Sequence, residues 1–244
     1  MGVGELPQLP GPLDGYGFVA ALPDEARTLC RRSPSPGSLR ALGAGRWLGV
    51  SGIGEARARE MARRLLSEGV CGLVSWGTCA GLAPGLSPGT LIVADRILTL
   101  DGASYATCDW PTANVVNQLA GGAHRGALLS VAHLVTTVEE KTRLYEQCGA
   151  LGLDMESAAV AQVAIEHGVP FLALRVVVDP AEASLPAALS GAVDGWGRVR
   201  LPVLVRGLGW HLESWRELWR LARHFESARR TLKALAGRLE GSFV

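Results

Sequence analysis

The strongest constraint on the fold is a helical pattern that runs almost directly into a short apolar strand. Residues 155–167 carry a helical repeat, Gly168 and Pro170 stop it, and residues 171–178 are apolar at every position except Arg175. That run ends at Asp179-Pro180. The same alternation recurs upstream. Residues 16–22 and 47–51 have strand character, Pro23-Asp24-Glu25 opens a helix whose acids suit its first turn, and Gly52-Ile53-Gly54 leads into a helix over about residues 55–68. Residues 71–76 read as a buried strand followed by a glycine-rich loop, Gly77-Thr78-Cys79-Ala80-Gly81, and residues 90–100 and 127–136 as further strands. Such alternation favours an α/β layer architecture. Open α/β sheets bind ligands beyond the carboxyl ends of their strands, which draws attention to Asp179.

Composition narrows the class. The 244 residues are 48% hydrophobic and 19% charged with a net charge of +1, which excludes a disordered chain and allows a sizeable core. Five scattered cysteines form no Cys-x-x-Cys pair and read as reduced thiols, neither a disulfide frame nor a zinc site. The amino terminus has no secretory pattern, and no stretch approaches 18 uninterrupted apolar residues. A cytoplasmic protein is expected, with peripheral contact at the inner face of a membrane. That last expectation comes from the charge distribution. Residues 197–239 carry ten Arg or Lys against three Glu, whereas residues 1–196 carry 14 basic and 19 acidic side chains. After a loop over residues 181–197, the tail reads as a short helix and then a long one over residues 211–239. In the long helix Leu212, Trp215, Trp219, Ala222 and Phe225 form an apolar stripe opposite a basic face. A tryptophan-bearing, basic amphipathic helix suits an anionic membrane surface. Nucleic acid is not expected as a partner, because the rest of the chain is acidic and holds no recognised module.

Four short stretches, in order, carry a resemblance: Ala21-Leu22-Pro23-Asp24-Glu25, then Gly77-Thr78-Cys79-Ala80-Gly81-Leu82, then Asp154-Met155-Glu156-Ser157-Ala158-Ala159, then Leu174-Arg175-Val176-Val177-Val178-Asp179. With Ser51-Gly52-Ile53-Gly54 between the first two, they resemble the purine nucleoside phosphorylase and nucleosidase superfamily. Ser184-Leu185-Pro186-Ala187-Ala188-Leu189, Gly197-Arg198-Val199 and Leu221-Ala222-Arg223 with Ala228 and Leu232 are similar to the tail of the hopanoid-associated phosphorylases. Members of that subfamily are assigned to removing adenine from adenosylhopane, a triterpenoid lipid carrying adenosine. The resemblance implies a three-layer α/β/α nucleoside phosphorylase-like fold with a mixed central sheet over residues 1–196, a basic amphipathic helical extension over residues 197–244, and a homo-oligomer. It implies no metal or organic cofactor, with phosphate as the one candidate co-substrate.

The chemistry explains the residue types. Breaking a purine N-ribosidic bond leaves an anionic base and a ribosyl group resembling an oxocarbenium ion, so the base needs a proton. By its place in the motif Asp179 is the candidate donor, its pKa raised by an apolar pocket. The resemblance gives Glu156 the ribose hydroxyls, with Met155 packed beneath the sugar, and Glu25 the attacking water. Gly77 and Thr78 would supply donors to a phosphate if phosphate attacks. Ser75 stands where the hexameric phosphorylases place an arginine, so hydrolysis is at least as well supported as phosphorolysis. Val178 stands where nucleosidases place a serine before the acid, and His133 lies near the segment bordering the base and 5′ group in relatives. Cys79 reads as a small buried thiol. A soluble-metabolite nucleosidase and a non-catalytic nucleoside- or lipid-binding protein are the alternatives.

Overall fold

A computed structural model describes residues 13–106, 122–185, 194–196 and 212–241. Nine strands and five helices follow in the order β1 (Tyr16–Ala20), α1 (Pro23–Ala26), β2 (Leu39–Gly43), β3 (Arg46–Val50), α2 (Glu55–Ser67), β4 (Gly72–Gly81), β5 (Leu91–Thr99), β6 (Ser104–Ala106), β7 (His124–Ser130), α3 (Val138–Cys148), β8 (Gly152–Asp154), α4 (Ser157–Glu166), β9 (Phe171–Asp179) and α5 (Leu212–Gly241) among the described residues. The strands form one mixed sheet ordered β2-β3-β1-β4-β8-β7-β5-β6. Strand β9 pairs in parallel with β4 and antiparallel with β5, so β4, β8, β7, β5 and β9 close a ring of pairings.

Two apolar layers cover the sheet. Met61 and Leu65 of α2 and Val160 and Val163 of α4 pack with Leu73, Phe171 and Val177 on one face. On the other, Ala228, Leu232 and Leu235 of α5 pack with Phe18, Trp76, Leu172 and Leu174. The even positions of β9 thus meet α5, while Ala173 and Val177 meet α2 and α4, as the two-residue period of a strand requires. Phe18 and Trp76 meet edge to face at 5.9 Å. The indole N–H of Trp76 donates to Thr28 Oγ1 at 2.9 Å, and that hydroxyl donates to the Glu25 carbonyl at 2.5 Å, which ties the single turn of α1 to the sheet.

The strand register assembles one edge. Ala20 lies opposite Val50 and Trp76, Ser130 opposite Asp154, and Ala80 opposite Asp179. The carboxyl ends of β1, β8 and β9 and the second half of β4 therefore converge.

Several elements depart from the sequence reading. Residues 77–81 are no loop but the end of β4: Thr78 and Cys79 pair with Val176 and Val177, and Ala80 and Gly81 pair with Leu153 and Gly152. The helix expected from Met155 begins at Ser157, because Asp154 ends a strand and its Oδ1 accepts the amides of Glu156 and Ser157 at 3.4 and 3.2 Å, which satisfies two N–H groups at the helix start. The strand expected to reach residue 136 leaves the sheet after Ser130. Helix α3 and strands β2, β6 and β8 have no counterpart in the sequence reading. In α5 the buried stripe is Leu218, Leu221, Phe225, Ala228, Leu232, Leu235 and Leu239, with alternating three- and four-residue steps, its last four members fully buried. Trp215 and Trp219, which belong to the stripe expected from the sequence, are 43% and 65% exposed. The sheet meets a stripe adjacent to the one the tryptophans suggested. The expected short helix before α5 lies outside the described residues.

Candidate active site

The converging strand ends enclose a cavity of about 260 Å³ lined by Glu25, Thr78, His133, Met155, Glu156, Val178 and Asp179 together with Leu22, Ile53, Cys79, Leu134, Val135, Leu185, Leu221 and Phe225. Glu25 and Asp179, 154 residues apart in sequence, are thus brought to one cavity. Gly77 alone among the expected site residues is absent from the lining. It lies directly behind: a Cβ there would stand 2.6 Å from both Glu25 Oε1 and Arg175 Nη1, so only glycine admits these two charged groups so close to the strand.

Glu25 is buried and accepts three hydrogen bonds. The amide and hydroxyl of Thr78 both donate to its Oε1 at 2.8 Å, and the Leu22 amide donates to Oε2 at 3.0 Å. A carboxylate offers roughly four lone-pair sites, so about one remains for a small partner such as water.

Glu156 precedes α4, and its Oε1 accepts the Gly54 amide at 2.9 Å. Burial, with the neighbouring Asp154 and Glu25 charges adding to it, pushes its carboxyl up to about 7, against the opposing influence of Arg175 and the Gly54 hydrogen bond. The free site therefore holds Glu156 partly protonated near neutrality.

Asp179 is 3% exposed at the end of β9. Burial raises its pKa above the ordinary carboxylate range, while Lys141 and Arg220 pull it back. Its Oδ2 accepts from Lys141 Nζ at 2.5 Å.

Two buried cations were not singled out from the sequence. Arg175 is 1% exposed, with Nε 2.7 Å from Asp154 Oδ2 and Nη2 donating to Ser75 Oγ at 2.7 Å and lying 3.7 Å from Glu156 Oε2. Isolated burial of such a charge costs several kcal/mol, and these partners offset it. Ser75, which stands in place of an arginine, is thus itself bonded to one from β9. The signal was present: Arg175 is the one polar break in an apolar run. Lys141 gave none, since Val138-Glu139-Glu140-Lys141 is an ordinary charged run with no motif in it.

His133 stands at the mouth, its ring 3.1 Å from Glu140 and its side chain 60% exposed. Val178 is half-buried on the wall and Met155 borders the cavity beside Glu156. Burial drives the Cys79 thiol far above its ordinary pKa, which keeps it neutral and non-nucleophilic. Among the described residues no group of His, Cys, Asp and Glu is placed to hold a metal ion.

Comparison with known proteins gives a consistent family. The model of the phosphorylase superfamily matches residues 17–196. Futalosine hydrolase of Streptomyces coelicolor is 31% identical over 235 residues, covering 81% of this chain and 96% of that protein. The crystal structure of 5′-methylthioadenosine/S-adenosylhomocysteine nucleosidase from Neisseria meningitidis in complex with methylthio-immucillin-A aligns with a TM-score of 0.69 at 17% identity, over 93% of this chain and 99% of that one. Native futalosine hydrolase of Helicobacter pylori aligns with a TM-score of 0.66 at 17% identity, over 93% and 97%. At such identity these two structures show a shared fold.

Proposed function

The chain belongs to the phosphorylase superfamily and is an enzyme that cleaves an N-ribosidic bond, and from that premise we propose that it hydrolyses a purine nucleoside carrying a bulky apolar 5′ group, adenosylhopane being the substrate this reading names. Asp179 donates its proton to the leaving purine as the electron pair of the C1′–N9 bond passes to the base. Glu156 accepts hydrogen bonds from the vicinal ribose hydroxyls above Met155, and its carboxylate favours the positive charge developing on the sugar. Glu25 takes the proton of the water that attacks C1′. His133 and Val178 border the substrate without taking part in proton transfer.

One observation carries hydrolysis over phosphorolysis: both donors of Thr78 are already directed at the Glu25 carboxylate. A phosphate dianion at that place would meet a carboxylate where it needs donors. Arg175 is committed to Asp154, Ser75 and Glu156. A neutral water suits this corner, and a dianion does not.

Room for a long 5′ group is given by the shape of the outer cavity. The inner space is small for a ligand site. At its mouth Leu22, Ile53, Leu221 and Phe225 are shared with a groove of about 1200 Å³ that runs outward past Leu218 and Ala222 to Pro34 and Pro36, apolar along α5 and bordered by Arg27, Arg31, Arg32 and Arg229. A long 5′ substituent has room there. The similarity to futalosine hydrolase favours a second reading, hydrolysis of futalosine. Adenine release from adenosylhopane in detergent, beside methylthioadenosine and futalosine with their own bases measured, separates them. Preference for adenosylhopane is expected, and preference for either soluble nucleoside contradicts the lipid assignment.

Peripheral membrane contact is part of the same proposal. Trp215 and Trp219 are exposed on the first turns of α5, beside the exposed Arg216, Arg220 and Arg223 and close to the groove. No helix among the described residues is long and apolar enough to cross a membrane. Contact through this half of α5 would place the groove mouth at the lipid interface. Co-sedimentation with anionic liposomes should fall when both tryptophans are replaced by alanine; no change, or tryptophans buried in a homo-oligomer, would overturn the contact.

A further inference from the structure

Among the described residues, Lys141 is the most deeply buried cation that the proposed chemistry leaves unused. It lies on α3, its side chain is 0% exposed, and its ammonium meets three acceptors: Asp179 Oδ2 at 2.5 Å, the Ala183 carbonyl at 2.7 Å and the Pro180 carbonyl at 2.9 Å. An ammonium has three N–H donors, so all are used and none is left for substrate or water. Two of the acceptors belong to the turn that follows β9, and Leu185 just beyond it donates its amide to the Thr136 carbonyl at 2.8 Å, one residue before the cap of α3. The lysine therefore fixes the acid and the chain that carries it against a single helix.

We propose that Lys141 is a positioning residue for Asp179: it takes Oδ2, leaves Oδ1 for the purine, and supplies the counter-charge of the carboxylate that remains once the proton is given up. This rests on the reading of Asp179 as the acid. In the donating step the Asp179 O–H bond breaks, the proton bonds to the base nitrogen, and the C1′–N9 pair moves onto the base. The carboxylate left behind lies against an ammonium already in place, so no reorganisation is needed at that moment. Burial raises the pKa of the acid, and Lys141 opposes that rise by favouring the carboxylate.

Other groups near Asp179 are Arg220, Glu217 and His224 of α5, Cys79 of β4, and Glu25, Glu156 and His133 across the cavity. Arg220 is exposed, and its effect is screened by solvent. The pKa of His224 is lowered by burial and by Arg220, so its titration lies on the acid side and does not supply an alkaline limb.

The test is the pH dependence of kcat/KM for the wild type, Lys141→Gln, Lys141→Arg and Asp179→Asn. Lys141→Gln keeps hydrogen-bond donors but loses the charge. It should lower kcat about 10- to 100-fold at acidic pH, leave KM within about 2-fold, and move the alkaline limb upward by about one pH unit, because a weaker acid holds its proton longer. Lys141→Arg keeps the charge and should keep the limb. A limb that stays put in Lys141→Gln, or moves as far in Lys141→Arg, overturns the proposal. Should Lys141→Gln not fold, the arginine variant decides alone: a retained limb supports the role and a shifted one refutes it. Asp179→Asn separates the two readings. If it keeps both rate and limb, the acid assignment itself fails; if it loses them while Lys141→Gln leaves the limb in place, only the role of Lys141 fails.

Discussion

Asp179 and Glu156 are both acids whose burial raises their pKa, yet they are asked for opposite things: one must hold a proton and the other must lose it. Replacing Asp179 by asparagine keeps the shape and removes the proton. Turnover should fall about 10²- to 10⁴-fold while nucleoside binding persists, as measured by steady-state kinetics beside equilibrium binding. For Glu156 the consequence extends to stability. Its carboxyl goes from an ordinary 4.5 to about 7 on folding. Between these values the unfolded chain has released a proton that the folded chain retains. Its favourable contribution is therefore complete below about 4.5 and is lost as pH rises through about 7. Asp179 acts in the same direction. Unfolding free energy from urea titrations should be higher at about pH 5 than at about pH 8, and Glu156→Gln should flatten that dependence by about 1 kcal/mol or more. At this scale motif order in the sequence was enough to name Asp179, Glu156, Met155 and Glu25, which line one cavity. Lys141 was not legible, because its partner lies 38 residues away and only the fold makes them neighbours.

Helix α5 shows how the span of an element can be legible while the face it buries is not. Two neighbouring apolar stripes run along it, one through Trp215, Trp219 and Ala222 and one through Leu218, Leu221 and Phe225. Both keep helical spacing, so periodicity alone cannot choose between them. The choice is made by the sheet, which accepts the small and branched side chains of Ala228, Leu232, Leu235 and Leu239 over Phe18 and Trp76. Leu232→Ala should therefore cost about 2–5 kcal/mol. Trp219→Ala, at an exposed site, should stay within about 0.5 kcal/mol. Denaturant midpoints at constant slope test both, and equal costs would contradict this orientation of the helix. The glycine-rich segment gave the opposite difficulty. Gly77 and Gly81 suggested a loop, but glycine at 77 admits Glu25 and Arg175 to a continuous strand.

Across the whole molecule the alternating pattern disclosed an α/β layered protein, and the ring formed by β4, β8, β7, β5 and β9 was not visible. Its closing pairs, β5 with β9 and β4 with β8, join segments far apart in sequence, and no local pattern encodes them. Helix α5 supplies one of the two layers over that sheet, so its loss removes core as well as charge. A chain ended before residue 212 should lose its cooperative unfolding transition, because Phe18, Trp76, Leu172 and Leu174 would be bared together. A stable, cooperative fragment would contradict this account of α5. The hydrolytic assignment is tested most directly by running the reaction in ¹⁸O-labelled water with phosphate present and following the oxygen at C1′ of the ribosyl product. The arrangement of Glu25 and Thr78 predicts label at C1′ and a rate independent of phosphate. A ribosyl phosphate product, with no label and no release when phosphate is withheld, would contradict it.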